Sequence, residues 1–346
     1  MVVALPALHL VEEAFPKAER RMLTNFPVGH QAAAAAAVLG DAGIVQGYFE
    51  YPVGARGFGV LLSLWWKLMR WRPQVVVYLA AARGVETARR DAAFFLTLGF
   101  PRMIGLPLTE YMQKCRPIPE DDRLEAECDR LGRNLGELGE VRSDRAESWD
   151  LRLTDGEHER AAEVLAPAGG RPVMMFSLGT KVQANDWGKK RWRELMGRLG
   201  KMYPGLALAF TGVPAESELS EYVAAGWREG AGAESLVLNL CGMLTPRESA
   251  ACFARAELFL GHDSGPMHLA SSVGTRVVAV FSARNLPGVW FPILKPTRGE
   301  HALIYHAVDC MGCRLTTCVV EKKKCIEGIT VDEVMAAVER MLGAGE

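Results

Sequence analysis

The sequence has no long apolar run, no excess of charge and no leader-like N-terminus, and each absence excludes a class of protein. No stretch reaches the roughly 18 apolar residues that a membrane span requires; the longest candidate, Phe58 to Leu68, already contains Lys67. The formal net charge of -1 argues against a nucleic-acid partner recognised over the whole surface. Because the N-terminus also lacks the basic segment and cleavage site of a signal peptide, we expect a cytoplasmic protein.

The eight cysteines would then be thiols or metal ligands rather than disulfides. Four of them lie near the C-terminus, at Cys310, Cys313, Cys318 and Cys325. The Cys-x-x-Cys start resembles half of a zinc site, whereas the second pair is spaced more widely than in a standard zinc ribbon. Structural zinc and reduced thiols are therefore both open interpretations, and we expect thiols and no metal.

The length of 346 residues and the hydrophobic content of 49% fit two domains with packed cores. Helix-like and strand-like segments alternate in both halves, which predicts parallel sheets covered by helices. We expect an α/β protein with one domain at residues 1–155, a second at residues 156–330 and a terminal helix at residues 331–346. Between Arg116 and Asp155 the charge density rises, which indicates a surface helix followed by a linker.

The apolar periodicity predicts individual elements as well. The predicted helices are Ala4 to Phe15, Ala32 to Ala37, Phe58 to Trp71, Arg89 to Leu98, Trp192 to Met202, Ser249 to Arg255, Met267 to Val273 and Val331 to Leu342. The predicted strands are Val75 to Leu79, Pro172 to Phe176, Leu206 to Phe210, Leu258 to Leu260 and Arg276 to Phe281.

The segment with the clearest chemistry follows a predicted buried strand and reads Gly261-His262-Asp263-Ser264-Gly265-Pro266-Met267-His268. Proline is tolerated in the first turn of a helix, so we expect a helix start near Pro266. The free N–H groups and the dipole of a helix start favour a phosphate. Ser264 can donate to that phosphate, Gly265 permits close backbone approach, and His268 can point back toward it. The alternative is an ordinary strand-turn-helix with an Asx cap at Asp263.

Two further predicted strand ends carry polar residues. The first is followed by Thr180 and Lys181, and then by the basic run Lys189 to Arg191. These cations could stabilise a leaving diphosphate without a metal, although a solvated basic turn is an equally good interpretation for any single lysine. The second is followed by Glu216, which could meet a ribose hydroxyl.

The aromatic helix around Trp65, Trp66 and Trp71 also carries Lys67 and Arg70. This composition allows contact with a membrane surface. Core packing is the interpretation that we favour, so contact with the inner face of the cytoplasmic membrane stays an alternative.

Taken together, these motifs make the sequence resemble glycosyltransferase family 9, the heptosyltransferase family of lipopolysaccharide core assembly. The most specific match is Asp263 to Ala270, followed by Gly274-Thr275. Further matches are Pro287 to Pro292, Gly179 to Trp192, and the cysteine pattern from Cys310 to Cys325.

The resemblance implies the GT-B fold, in which two Rossmann-like domains face a cleft. It also implies inverting, metal-independent transfer of a heptose from an ADP-sugar to a lipid-linked or oligosaccharide acceptor, with no cofactor. The residues that it implies for donor binding are Thr180, Lys181, Lys190, Glu216, Met243, Leu244, Asp263, Ser264, Gly265, Pro266, Met267 and His268.

The sequence departs from the family pattern at two places. The family's first strand and its Gly-Asp loop, whose aspartate the resemblance implies as the catalytic base, would precede Met1, and we expect a misassigned start codon. The family's phosphate-facing lysine lies two residues before a tryptophan. This position is Asn185 if the tryptophan is Trp187, and Lys190 if it is Trp192.

Two functions outside glycosyl transfer remain as alternatives. A chain without a catalytic base would bind a nucleotide sugar and leave it unchanged. A GT-B sugar epimerase would change the sugar and keep its nucleotide.

Overall fold

The computed structural model describes residues 1–26, 33–52, 54, 57–100, 102–119 and 121–343. The chain divides into two compact units, Met1–Trp149 and Asp150–Glu346. Across the described ranges, we find no helix with both the length and the apolar character needed to cross a bilayer.

The first unit contains two pairs of parallel strands. Strand β1 (Arg21–Phe26) pairs with β2 (Gly47–Pro52), and β3 (Val75–Val77) pairs with β4 (Arg102–Ile104). The helices of this unit are α1 (Leu5–Ala14), α2 (Ala35–Leu39), α3 (Phe58–Trp71), α4 (Val85–Thr97), α5 (Glu110–Gln113) and α6 (Glu127–Asn134).

The predicted elements of the first unit agree with these bounds except at their ends. Helix α3 begins at Phe58 and ends at Trp71, as predicted, whereas α4 begins at Val85 rather than at Arg89. Strand β3 ends at Val77 instead of Leu79. The helix predicted from the alanine run begins at Ala35, and its predicted start at Ala32 lies outside the described residues.

The expectation of a surface helix after Arg116 is wrong for α6, because this charged helix is buried. Arg130 has no exposed surface. Its guanidinium donates to Glu127 Oε2 at 2.7 Å, to the Met112 carbonyl at 3.0 Å and to the Ala80 carbonyl at 3.2 Å. A buried charge is tolerated when it is paired and hydrogen-bonded in this way, so charge density was a poor guide to exposure here.

The second unit is built on one parallel sheet of six strands in the order β10-β9-β8-β5-β6-β7. The strands are β5 (Val173–Ser177), β6 (Ala207–Phe210), β7 (Leu236–Asn239), β8 (Leu258–His262), β9 (Val277–Val280) and β10 (Ala302–Ile304). The helices are α7 (Asp155–Leu165), α8 (Lys189–Met202), α9 (Ser217–Ala231), α10 (Pro246–Phe253), α11 (Gly265–Ser272), α12 (Lys324–Glu327) and α13 (Val331–Gly343).

The central strands of this sheet are almost entirely apolar because helices cover them. All five residues of β5 are buried, as expected for a parallel strand with both faces covered. Trp192 of α8 and Trp227 of α9 pack into the same apolar cluster as Phe176 and Phe210 of the sheet. The sequence predicted β5, β6, β8 and β9, but it missed α7, α9, α12, β7 and β10.

Glycines allow α8 and α9 to pack closely side by side. A β-carbon on Gly200 of α8 would lie 2.7 Å from the Trp227 carbonyl oxygen of α9, and one on Gly226 would overlap the backbone of Arg193. Small residues of this kind let two helix backbones approach each other. Since α8 follows the loop after β5 and α9 follows the loop after β6, this packing also holds those two loops beside each other.

Candidate functional site

Three loops of the second unit emerge at one edge of the parallel sheet. Strands β8, β5 and β6 are neighbours and run in the same direction, so the residues that follow His262, Ser177 and Phe210 lie at the same edge. The carboxyl edge of an open α/β sheet is the usual ligand site. The structure therefore brings together the three polar strand ends that the sequence singled out.

The loop after β8 leads almost directly into α11, which begins at Gly265. Ser264 is the N-cap residue, but its hydroxyl makes no capping hydrogen bond. This oxygen is buried and has no partner among the residues that the structure describes. The first N–H groups of a helix have no intrahelical acceptor, so the hydroxyl and the helix start together form a site for an anion.

Asp263 and His268 lie on either side of this helix start, with 4.0 Å between Asp263 Oδ1 and His268 Nε2. Burial raises the pKa of Asp263 to about 7. Burial also lowers the pKa of His268, to about 3. At neutral pH the imidazole is therefore uncharged, and it can serve a bound anion as a hydrogen-bond donor but not as a cation.

The loop after β5 places Thr180 and Lys181 at the same edge. The Thr180 hydroxyl oxygen lies 3.3 Å from the Val182 backbone nitrogen, which donates to it. Lys181 is exposed and forms no ion pair with another described residue, while desolvation by nearby protein lowers the pKa of its ammonium. Lys181 is thus a cation that remains available to a ligand.

The loop after β6 places Glu216 against two glycines. Its Oε2 accepts a hydrogen bond from the Val213 N–H at 3.2 Å. A β-carbon on either Gly179 or Gly212 would overlap the carboxylate, so the absence of side chains at both positions makes room for it. Burial raises the pKa of Glu216. The two loops therefore jointly fix one carboxylate beside Thr180.

Met243 and Leu244 follow β7, the strand next to β6. The turn that carries them is tied to the neighbouring loop, because the Gly242 N–H donates to the Gly212 carbonyl at 2.8 Å. Met243 is 52% exposed. These residues supply an apolar surface at the same edge of the sheet.

Comparison with known proteins gives a family for this arrangement. Residues 141–323, more than half of the chain, match the model of glycosyltransferase family 9 (heptosyltransferase). The chain belongs to this family.

Two curated relatives from Campylobacter jejuni are both named lipooligosaccharide heptosyltransferase 2. The relative from serotype O:2 is 30% identical over 107 residues, which are 31% of this chain and 32% of the relative. The relative from serotype O:6 is 27% identical over 106 residues, 30% of this chain and 32% of the relative. The chain therefore matches about a third of the length of these relatives.

Solved structures resemble the chain over nearly its whole length. A family 9 glycosyltransferase from Veillonella parvula has a TM-score of 0.72 at 17% identity and covers 99% of this chain and 93% of its own. E. coli ADP-heptose LPS heptosyltransferase II has a TM-score of 0.64 at 15% identity, and the match covers 99% of this chain and 95% of that structure. E. coli heptosyltransferase WaaC with ADP-2-deoxy-2-fluoro heptose has a TM-score of 0.54 at 15% identity, and the match covers 98% of this chain and 95% of that structure. The chain has the predicted GT-B fold.

The two candidates that the sequence left open for the phosphate-facing position have different surroundings in the structure. Asn185 is buried; its amide donates to the Asp263 carbonyl at 3.4 Å and accepts from the Ser282 hydroxyl at 2.6 Å. Lys190 is exposed in the first turn of α8, where it lines a groove of about 650 Å³ with Asp186 and Leu219. The residue beside the Asp263 loop is therefore the neutral Asn185.

His262 belongs to the segment that the sequence singled out, but the sequence reasoning gave its side chain no role. It is fully buried, and its Nε2 accepts from the Trp187 N–H at 3.0 Å and from the Trp192 indole N–H at 3.2 Å. Burial lowers the pKa of this imidazole, so it stays neutral. Its position at the end of an apolar strand was the available signal, because a buried polar side chain needs hydrogen-bond partners.

The sequence left zinc and reduced thiols open for the four C-terminal cysteines. All are free thiols, and within the described part of the chain no three His, Cys, Asp or Glu side chains are grouped to hold a metal ion. Backbone hydrogen bonds connect their segment to the loops after β5 and β9. The Thr316 carbonyl accepts from Ala184 N–H at 3.2 Å, and the Gly312 N–H donates to the Ala283 carbonyl at 2.8 Å.

Proposed function

We propose that this chain transfers a heptose from an ADP-activated donor to a lipopolysaccharide-core or related glycan acceptor, with inversion at the anomeric carbon and without a divalent metal. The observation that carries the proposal is the buried hydroxyl of Ser264 at the start of α11, which has no hydrogen-bond partner among the described residues. A buried polar group without a partner costs about 1–3 kcal/mol. A phosphate oxygen bound at this helix start would remove that cost.

The remaining residues at the sheet edge account for the other parts of a nucleoside diphosphate. The Glu216 carboxylate, held over Gly179 and Gly212, accepts hydrogen bonds from the ribose hydroxyls. Met243 and Leu244 pack against the adenine ring. Thr180 donates to the diphosphate from the loop after β5.

Lys181 supplies the positive charge for the leaving group in this proposal. Asn185 occupies the buried position beside the Asp263 loop and carries no charge, whereas Lys181 is exposed and forms no ion pair with another described residue. A cation aimed at developing charge stabilises a transition state. Lys181 therefore takes the role of the family's phosphate-facing lysine, whose place in one alignment is occupied here by Asn185.

In the proposed reaction, the acceptor hydroxyl attacks the anomeric carbon from the face opposite the diphosphate. The bond between that carbon and the β-phosphate oxygen breaks, and the electron pair leaves with ADP. The α11 start, the His268 ring N–H and Lys181 stabilise the charge on the leaving phosphate. The hydroxyl proton passes to a general base, a role that the family resemblance gives to the aspartate of its Gly-Asp loop.

The choice of donor and acceptor is supported by the names of similar proteins. Two WaaC structures contain ADP or ADP-2-deoxy-2-fluoro heptose. The curated relatives are named lipooligosaccharide heptosyltransferases. These names support ADP, heptose and a lipopolysaccharide-type acceptor for this chain.

The first test is calorimetric titration of ADP, UDP and GDP into the protein and into S264A and H268A. We expect ADP to bind most tightly and both substitutions to weaken it. S249A is the matched control, because the Ser249 hydroxyl donates to the Thr245 carbonyl on α10 and should not affect binding. Failure of a folded protein to bind any of the three nucleotides would contradict the donor site.

The second test follows the fate of ADP-heptose with a heptose-deficient lipopolysaccharide in excess EDTA. Heptose transfer, with an inverted anomeric configuration by NMR, supports the proposal. A donor that is bound but neither hydrolysed nor transferred would indicate a nucleotide-sugar-binding protein. A changed sugar that remains attached to its nucleotide would indicate an epimerase.

A further inference from the structure

The outer face of helix α3 is apolar and exposed to an unusual degree for a protein surface. Phe58 is 80% exposed, Leu62 is 50% exposed and Trp66 is 69% exposed. These three residues are spaced four apart, so they lie along one side of the helix. Val60 and Leu61, near the start of the helix, lie outside this stripe but are also 39% and 40% exposed.

The opposite face of α3 already has its partner inside the first unit. Leu64 and Leu68 are buried in a cluster with Phe49, Phe95 and Phe100. At about 100° per residue, they point away from Leu62 and Trp66. The exposed stripe is therefore a second apolar face, and the core of the first unit does not explain it.

The charges on and beside this face have one sign. The sequence from Phe58 to Trp71 contains no aspartate or glutamate. Lys67 and Arg70 lie in its second half, Arg72 follows it, and all three are exposed. Aromatic and aliphatic residues next to basic residues, with no acid among them, are the composition of a helix that rests in a membrane interface.

We propose that the outer face of α3 docks on the surface of a membrane that contains anionic phospholipids. Phe58, Leu62 and Trp66 enter the boundary between head groups and acyl chains, and Lys67, Arg70 and Arg72 lie over the lipid phosphates. A helix of 14 residues spans about 21 Å, less than the roughly 30 Å of a bilayer core. The helix therefore lies in the plane of the membrane. The proposal does not rest on the function proposed above.

The test is co-sedimentation of the whole chain with vesicles, without any nucleotide. One set of vesicles is pure phosphatidylcholine and the other is phosphatidylcholine mixed with phosphatidylglycerol. We expect binding to the mixed vesicles, weaker binding to the neutral ones, and loss of the difference at high salt. The triple variant F58S/L62S/W66S should lower the partition coefficient at least about tenfold.

A charge variant keeps the test independent of any folding defect in the triple variant. K67Q/R70Q should lower binding to the mixed vesicles by roughly fivefold for each charge removed and leave binding to neutral vesicles unchanged. The matched control is V319S/V320S, which removes two apolar residues that are 74% and 87% exposed and precede the lysines 322–324.

Three outcomes would overturn the proposal. The first is equal binding of the wild type and both α3 variants. The second is loss of binding in V319S/V320S only, which would place the contact in that segment. The third is a wild-type dimer in sedimentation that F58S/L62S/W66S converts to a monomer without a change in lipid binding, because a second copy would then be the occupant of the face.

Discussion

The carboxylate of Glu216 lies directly against the backbone of Gly179, where a single added methyl group would overlap it. The two residues belong to different loops, one after β6 and the other after β5. The position of the carboxylate therefore depends on a glycine that is distant in sequence. This relationship makes the proposed ribose contact testable without altering Glu216 itself.

The substitution G179A should displace Glu216 and weaken ADP binding by about tenfold to a hundredfold, the usual worth of a hydrogen bond to a charged group. Titration calorimetry measures the change. G205A is the matched control, since a β-carbon on Gly205 meets nothing within 4 Å. An unchanged ADP affinity in a folded G179A protein would show that Glu216 is not a donor contact.

Removal of charge from Lys181 should slow turnover more than removal of charge from Lys190. K181M should lower kcat by about 10²–10³-fold, the typical effect of losing one donor to a developing oxyanion. K190M should have a much smaller effect, because Lys190, on α8, lines the groove beside Asp186 and Leu219, whereas Lys181 lies in the loop directly after β5. Steady-state rates with saturating ADP-heptose compare the two. A larger loss in K190M would reverse the assignment of the phosphate-facing lysine.

ADP affinity should fall as the pH rises from about 6.5 to 8.5. Because burial raises the pKa of Asp263 to about 7, this carboxyl gains its negative charge within that range. A charged carboxylate repels the diphosphate, so above pH 7 binding must take up a proton, and affinity falls by up to about tenfold per pH unit. The pKa of His268 is lowered to about 3, so this imidazole stays neutral throughout.

Calorimetry in buffers of different ionisation enthalpy measures this proton uptake directly. D263N should remove the part of the proton uptake and of the pH dependence that the carboxyl causes. The part that comes from the phosphate of ADP should be the same in both proteins. The same slope in D263N and in the wild type would exclude Asp263 as its source.

His262→Ala should destabilise the second unit by about 3–5 kcal/mol. The substitution opens a cavity and leaves the Trp187 N–H and the Trp192 indole N–H buried without an acceptor, and both effects cost free energy. Urea unfolding followed by tryptophan fluorescence measures the loss. The half-buried His158 provides the control H158A, which should change stability by less than about 0.5 kcal/mol.

The buried imidazole of His262 also has a consequence for stability against pH. Its pKa is lowered in the folded state, so the unfolded chain binds the proton more readily. The free energy of unfolding should therefore be highest above about pH 6.5, the ordinary histidine pKa, and fall as the pH falls below it. Part of that decline should be absent in H262A.

The sequence was sufficient to predict features that depend on residues close together in the chain. The strand that ends before Asp263 and the helix start around Pro266 follow from apolar periodicity and from the tolerance for proline in a first helical turn. The alternation of such segments was sufficient to predict the α/β class. The family motif was sufficient to group Asp263, Ser264 and His268 in one expected site.

Exposure and side-chain partners were not readable from the sequence. Arg130 was expected on a surface helix, but its burial depends on the carbonyls of Met112 and Ala80, which come from other parts of the chain. The spacing of Cys310 and Cys313 suggested half of a zinc site. The missing half depends on where the chain places the other ligands, and the described residues do not gather them.

The sequence by itself determined the α/β class, the helix start near Pro266 and the presence of three polar loops, since each depends on residues close together in the chain. Only the tertiary structure decided that Asn185 rather than Lys190 lies beside the Asp263 loop. That choice depends on how His262, far along the chain, anchors the loop through Trp187 and Trp192. The same holds for Glu216, whose position requires two loops to meet with glycines at the contact. Contacts between distant segments are settled by packing and hydrogen bonding in the folded state, which local patterns do not specify.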